Sequence, residues 1–184
     1  MKRVGGVLGA MLLLFSAATW ADAYTDTTEL FRNAGQSAAF FHSSYGYAVF
    51  PTIGKGGLVV GVAHGNGHVY ARGKYVGDTS MTQLSIGAQA GGQAYSQIIF
   101  FEDKRAFDEF TKGNFEFGAE VAIAAAAGAN AGTIGAGAQA SGGEKDARTA
   151  GKYYKGLAVF TIVKGGAMYQ ATVAGQKFSY SPKA

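Results

Sequence analysis

The sequence predicts an α+β domain: a strongly curved, mainly antiparallel β-sheet or partial barrel, with an N-terminal helix and a central helix. Three observations predict it. Glycine-bounded, β-prone runs recur along most of the chain. Two segments instead carry helical spacing with end signals. A unit of strand, Lys-Gly-Gly and strand occurs twice. The chain has 184 residues with 29 glycines, 2 prolines, 13% aromatic and 15% charged residues. That length suits one domain with a real core, and the aromatic content excludes intrinsic disorder. With no cysteine, disulfides, thiol catalysis, thiolate zinc sites and a cysteine lipid anchor are excluded.

Residues 1–23 read as a signal peptide and 24–184 as a single domain. Lys2 and Arg3 precede an apolar stretch from Val7 to Ala18, and Ala21-Asp22-Ala23 offers a small-x-small cleavage site. The stretch is shorter than the roughly 20 apolar residues of a spanning helix. Cleavage after Ala23 removes two cations and one anion and leaves a mildly basic, exported protein. Export without disulfides fits a bacterial periplasm.

Asp26-Thr27-Thr28-Glu29 has capping-box spacing, and Leu30, Ala34, Ala38 and Phe41 follow at helical intervals, so one helix is expected from Asp26 to about Ser43. Tyr47 to Phe50 and Leu58 to Ala63 read as strands. Gly65-Asn66-Gly67 reads as a hairpin turn with His68 to Arg72 returning. From Gln83 to Ala90, Leu84, Ile86 and Ala88 alternate with Gln83, Ser85, Gly87 and Gln89, the period of a half-buried strand. Gly91-Gly92 then suggests a tight turn into Gln93 to Phe101. Glu102 to Lys112 carries acids first and a lysine last, as a helix dipole favours, with Phe107 and Phe110 on its buried side and Gly113 beyond its end.

The alanine- and glycine-rich segment from Phe115 to Ala140 contains Gly128-x-x-x-Gly132 and could pass for a membrane helix. Its period is two, however: Phe115, Phe117, Ala119, Val121 and Ile123 alternate with Glu116, Gly118, Glu120 and Ala122. A strand followed by a glycine-rich loop is expected. The duplicated unit pairs Gly46-Tyr-Ala-Val-Phe50 with Gly156-Leu-Ala-Val-Phe160, and Lys55-Gly-Gly57 with Lys164-Gly-Gly166. Alternation places Ala48, Phe50, Ala158 and Phe160 at equivalent buried positions, with Lys55 and Lys164 at equivalent turns.

The runs Tyr45-Gly-Tyr-Ala-Val-Phe-Pro-Thr-Ile-Gly-Lys-Gly-Gly57, Gln89 to Phe101 and Gly156 to Gly166 together resemble the SYLF domain family, over about Leu30 to Tyr180. That family includes yeast actin-binding proteins and exported bacterial lipid-binding relatives. The resemblance implies a mixed domain with a strongly curved antiparallel sheet that binds phospholipids, phosphoinositides in eukaryotic members. This chain lacks the N-terminal cysteine of many bacterial members. Its helix from Asp26 also lacks the basic charge that eukaryotic members use at membranes. Actin binding, also implied by the resemblance, makes little sense for a protein outside the bacterial cytoplasm.

Catalytic signatures are absent from the sequence: no Gly-x-Ser-x-Gly, no Walker-type loop, no His-Glu-x-x-His. Gly54-Lys-Gly-Gly57 lacks the Ser/Thr and helix of a phosphate loop. His64 and His68 could face each other across a hairpin near Asp78, but two imidazoles fall short of the three or four ligands that zinc takes. No catalytic residue, metal or cofactor is therefore expected. One cluster stands out. Lys145, Arg148, Lys152 and Lys155 would share one face if helical, with Tyr153 and Tyr154 among them. Cations beside amphipathic tyrosines suit an anionic phospholipid headgroup surface, although Glu144 and Asp146 dilute the cluster and a solvated loop would read the same way. Nucleic acid is a poor partner for a small net charge on an exported chain. The expected function is a non-enzymatic phospholipid-binding domain peripheral to a membrane. The alternative is a structural or partner-binding envelope protein that docks another protein or itself.

Overall fold

The structure is a computed structural model that describes residues 16–117, 138–139 and 152–184. Its elements run α1 (Ser16–Arg32), α2 (Ser37–Ser43), β1 (Gly46–Gly57), β2 (Val60–Ala71), β3 (Lys74–Phe101), α3 (Lys104–Phe110), β4 (Phe115–Phe117), β5 (Ala138–Gln139) and β6 (Leu157–Pro182). They form one six-stranded, mostly antiparallel sheet, with only β5 pairing parallel to β6. The α+β expectation holds at this level. In the described residues the curved sheet is not closed into a barrel.

The curvature follows from strand lengths. β1 and β2 form an antiparallel hairpin. The 28-residue β3 pairs antiparallel with both of them: Lys74 to Ile86 against β2, and Gly91 to Phe101 against β1. A strand antiparallel to two mutually antiparallel strands must reverse direction between those stretches. β3 therefore goes up along β2, bends around the hairpin end between Ile86 and Gly91, and comes down along β1. The 26-residue β6 pairs with β3 from Leu157↔Phe101 to Gly77↔Pro182, so it bends around β3 in the same way. Three bends are nested at one end, here the tip. The opposite end, the base, holds the start of β1, both ends of β3 and both ends of β6.

The sheet buries side chains on both faces at the base. Its inner face gathers Ala48, Phe50, Ile53, Met81, Tyr95, Ile99, Phe101, Val159 and Phe178, and Phe110 of α3 joins them. Its outer face gathers Tyr47, Val49, Ile98, Phe100, Ala158, Phe160 and Ile162 beneath Tyr24, Phe31 and Ala34 of the N-terminal helical segment. Phe40 of α2 lies edge-on to Phe160 at 5.0 Å, and Phe41 to Phe100 at 4.9 Å. Asp103 caps α3, its carboxylate accepting from the Ala106 N–H at 2.8 Å.

Several local expectations are corrected. α1 is already helical before Asp26, so the apparent capping box lies inside it. The single helix to Ser43 is two, broken where Gly35 takes φ 80°. Gly65-Asn66-Gly67 is mid-strand rather than a turn. Its glycines leave room for β1, which has a register shift between Val49 and Ile53. A Cβ on Gly67 would lie 2.7 Å from a Phe50 ring carbon and 2.8 Å from the Val49 carbonyl oxygen. The actual hairpin turn is Arg72-Gly73, with φ 49° and 78°, the left-handed pair of a type I′ turn. Gly91-Gly92 continues the ladder instead of ending it. Of the predicted strand after Phe115, β4 is present. The run from Gly118 to Gly137, including Gly128-x-x-x-Gly132, lies outside the described residues.

The duplicated unit is displaced by one residue in space. Ala48 and Val159, not Ala158, are both register partners of Ile99. A one-residue shift reverses which face each side chain occupies. Ala48 and Phe50 thus point inward while Ala158 and Phe160 point outward, and all four are buried because both faces are covered there. Neither Lys-Gly-Gly is a turn, since both continue strands.

Phe160→Ala should cost about 3–5 kcal/mol in urea melts, as for other buried phenylalanines. Gly67→Ala should cost about 2 kcal/mol or more through overpacking. Gly54→Ala, whose added Cβ meets nothing within 4 Å, should change stability by less than about 1 kcal/mol.

Candidate functional site

Of the predicted cationic cluster, Lys145 and Arg148 lie outside the described residues. Lys152 and Lys155 are exposed at the base and are not helical. Tyr154 and Leu157 exchange backbone hydrogen bonds of 2.8 and 3.0 Å around Lys155-Gly156, whose φ values of 51° and 83° again make a type I′ turn. Both tyrosines pack rather than project. Tyr153 lies 4.9 Å from the Phe40 ring, and Tyr154 packs on the inner cluster. The Lys155 ammonium sits 5.5 Å from the Tyr154 ring centre.

The two histidines share one strand, β2, instead of facing each other. His64 Nδ1 contacts Thr82 Oγ1 at 3.2 Å. His68 Nε2 lies 3.3 Å from Asp78 Oδ1 and its ring stacks on Tyr24 at 3.4 Å. Burial pushes the His68 pKa down, opposed by the Asp78 charge. Among the described residues no group of three or more His, Asp or Glu could hold a metal. Glu116 pairs with Lys177 at 3.5 Å across β4 and β6, and Glu120 lies outside the described residues.

The polarity of the sheet changes toward the tip. Gln83 and Ser85 are fully buried, whereas Leu84 between them is 58% exposed. This reverses the facing that the alternation suggests. Inside, a glutamine chain explains the reversal. Gln97 Nε2 donates to Gln176 Oε1 at 3.1 Å, and Gln176 Nε2 donates to Gln83 Oε1 at 3.0 Å. Ser85 donates to the Gly61 carbonyl at 3.3 Å. Buried amides partnered in this way avoid the cost of lost hydration, and the opposite parity is left to carry the aliphatic residues. Val62 is the register partner of Leu84, and Val60 of Ile86. Val60 and Val62 are half exposed, while Leu58 and Val59 at the hairpin end reach 69% and 71%. This patch was not singled out from the sequence. The signal for it was the unbroken run Leu58-Val59-Val60, too apolar for a turn between strands.

Lys55 lies on β1 beside Ala63 and, one strand further, Gln83. It is buried, and burial lowers its pKa from 10.5 to about 8.

Among the described residues the sheet is bent, covered by helices at one end and aliphatic at the other. Residues 82–183 match a family described as Ysc84, "Las17-binding protein actin regulator". The chain belongs to this family, the SYLF family. It is also 31% identical over 164 residues to Beta cell expansion factor A of Aeromonas veronii, a match covering 87% of this chain and 54% of that protein. The chain thus spans about half the length of this curated relative.

Lys55 sets a pH dependence. Between its folded pKa near 8 and its unfolded 10.5, the unfolded chain holds a proton that the folded chain has released, so stability rises with pH. The window ends near pH 10. There the tyrosines whose folded pKa is raised, among them Tyr24, Tyr47 and Tyr70, ionise first in the unfolded state and reverse the trend. Urea midpoints should therefore climb from pH 8 to about 10, by about 1–3 kcal/mol in stability. Lys55→Met should flatten that climb.

Proposed function

We propose that this is an exported, non-enzymatic domain that binds phospholipid at a membrane surface. The observation that supports this most is the inverted strand near the tip, with Gln83 and Ser85 inside and Leu84, Val60 and Val62 outside. Water penalises aliphatic surface by roughly 25 cal/mol per Å², and a lipid interface relieves that penalty. Membership of a family of binding domains accords with this reading. The actin regulation in the family's description is a property of other members, and a periplasmic domain meets no actin.

Purified residues 24–184 should float with anionic phospholipid vesicles in a density gradient at low salt. A protein that stays at the bottom with anionic and zwitterionic vesicles alike is not a lipid binder. Capture of a specific envelope protein, with no lipid effect, would then support the partner-binding alternative. Export is checked by N-terminal sequencing of the periplasmic fraction, which should begin at Tyr24.

A further inference from the structure

We propose that the tip of the sheet is the part that enters the bilayer, with the β1–β2 hairpin leading and the bends of β3 and β6 beside it. This rests on the lipid reading above and specifies its geometry. The first ground is composition in space. The stretches that meet at the tip are 56–63, 84–94 and 165–175, brought together by Gly57↔Gly61, Gly57↔Gly91 and Gly91↔Met168. None of these residues is Asp, Glu, Lys, Arg or His. The four long strands contain a single carboxylate, Asp78, which pairs in register with His68 and Ser181 toward the base.

The second ground is exposure. The five exposed large hydrophobic residues among those described are Leu58, Val59, Val60, Val62 and Leu84, all within this end. Such a patch offers a few hundred Å². That is below the roughly 800 Å² per partner of a standard protein interface, but a few aliphatic side chains lying in the headgroup–acyl boundary suffice for reversible membrane association. The third ground is the neighbouring charge. Lys164 is exposed one step back from the tip, its Nζ 3.4 Å from Thr52 Oγ1. A cation set behind an apolar end lies at headgroup depth when that end is inserted. The acids Glu102, Asp103, Asp108 and Glu109 belong to the base, which then faces away from an anionic surface.

Lys152 and Lys155 also lie at the base, close to Leu157. A strand the length of β1 separates them from the tip by about 40 Å, several Debye lengths at physiological salt. Tip-first insertion therefore leaves those two lysines outside the contact.

The test compares two variants by vesicle flotation. Leu58→Asp with Val59→Asp should lower partitioning about a hundredfold, roughly tenfold for each side chain that can no longer be buried. Replacing Lys152 and Lys155 together with Ala should change it by less than about threefold. Both sites of the Asp pair are exposed, so circular dichroism and urea midpoints should match wild type. If the pair does not fold, Leu58→Trp carries the test. Residues 24–184 hold no native tryptophan, so emission from position 58 should shift blue on vesicle addition and be quenched by brominated acyl chains. Wild-type flotation that persists in the folded Asp pair, or that is lost in the Ala variant instead, overturns tip insertion while the lipid reading stands. Emission from position 58 that is neither shifted nor quenched, on vesicles that the protein does bind, overturns it equally. If wild type fails to float at all, the lipid reading falls and tip insertion falls with it.

Discussion

β3 must satisfy two partners that run in opposite directions. Because β1 and β2 are antiparallel and β3 pairs antiparallel with each, the strand has to double back over the hairpin that they make. β6, paired along almost all of β3, doubles back outside it. Everything else is arranged around this nesting. Two residues as far apart in sequence as Gln97 and Gln176 meet inside the fold because the sheet curls enough to bring the descending limb of β3 against the far limb of β6. Such curvature needs sites where backbones approach closely, and Gly65 and Gly67 supply them beside Ile53 and Phe50.

Nesting also makes the two ends unlike. At the base the strand ends are free to continue into helices, and α1, α2 and α3 cover the sheet with Phe31, Phe40, Phe41 and Phe110. Both faces there are apolar, which is why a one-residue displacement between the two copies of the repeat leaves every large side chain buried. At the tip the described residues are the bends of the strands themselves. The interior next to it is polar at the chain of Gln83, Gln176 and Gln97, and Leu84, Val60 and Val62 of the neighbouring positions face outward.

For a member of the SYLF family this asymmetry suggests a division of labour. The helix-covered base carries most of the aromatic packing and nearly all the ion pairs of the described residues, including Lys104–Asp108 at 2.6 Å and Arg105–Glu109 at 3.5 Å. Those pairs are solvent-exposed and contribute little to stability. They do keep that end hydrated. The stretches that meet at the tip hold no charged residue.

Much was legible in the chain itself. The period-two runs, the two helical segments and the family resemblance all follow from local pattern, because strands and helices are specified largely by which neighbours are apolar at which spacing. The absence of cysteine and of catalytic signatures is likewise a property of the chain alone. What a local pattern cannot carry is direction. Whether Leu84 or Gln83 faces the core depends on what lies across the interior, and there it is Gln176, 93 residues away. Gly65-Asn66-Gly67 reads as a turn until β1 is laid against it. Lys55-Gly-Gly57 and Lys164-Gly-Gly166 read as equivalent until register sets them two residues apart. The sequence by itself determined the elements and their chemistry. The tertiary structure decided which face of each strand is inside and which end of the sheet gathers the exposed aliphatic residues, because both are set by partners distant in the chain.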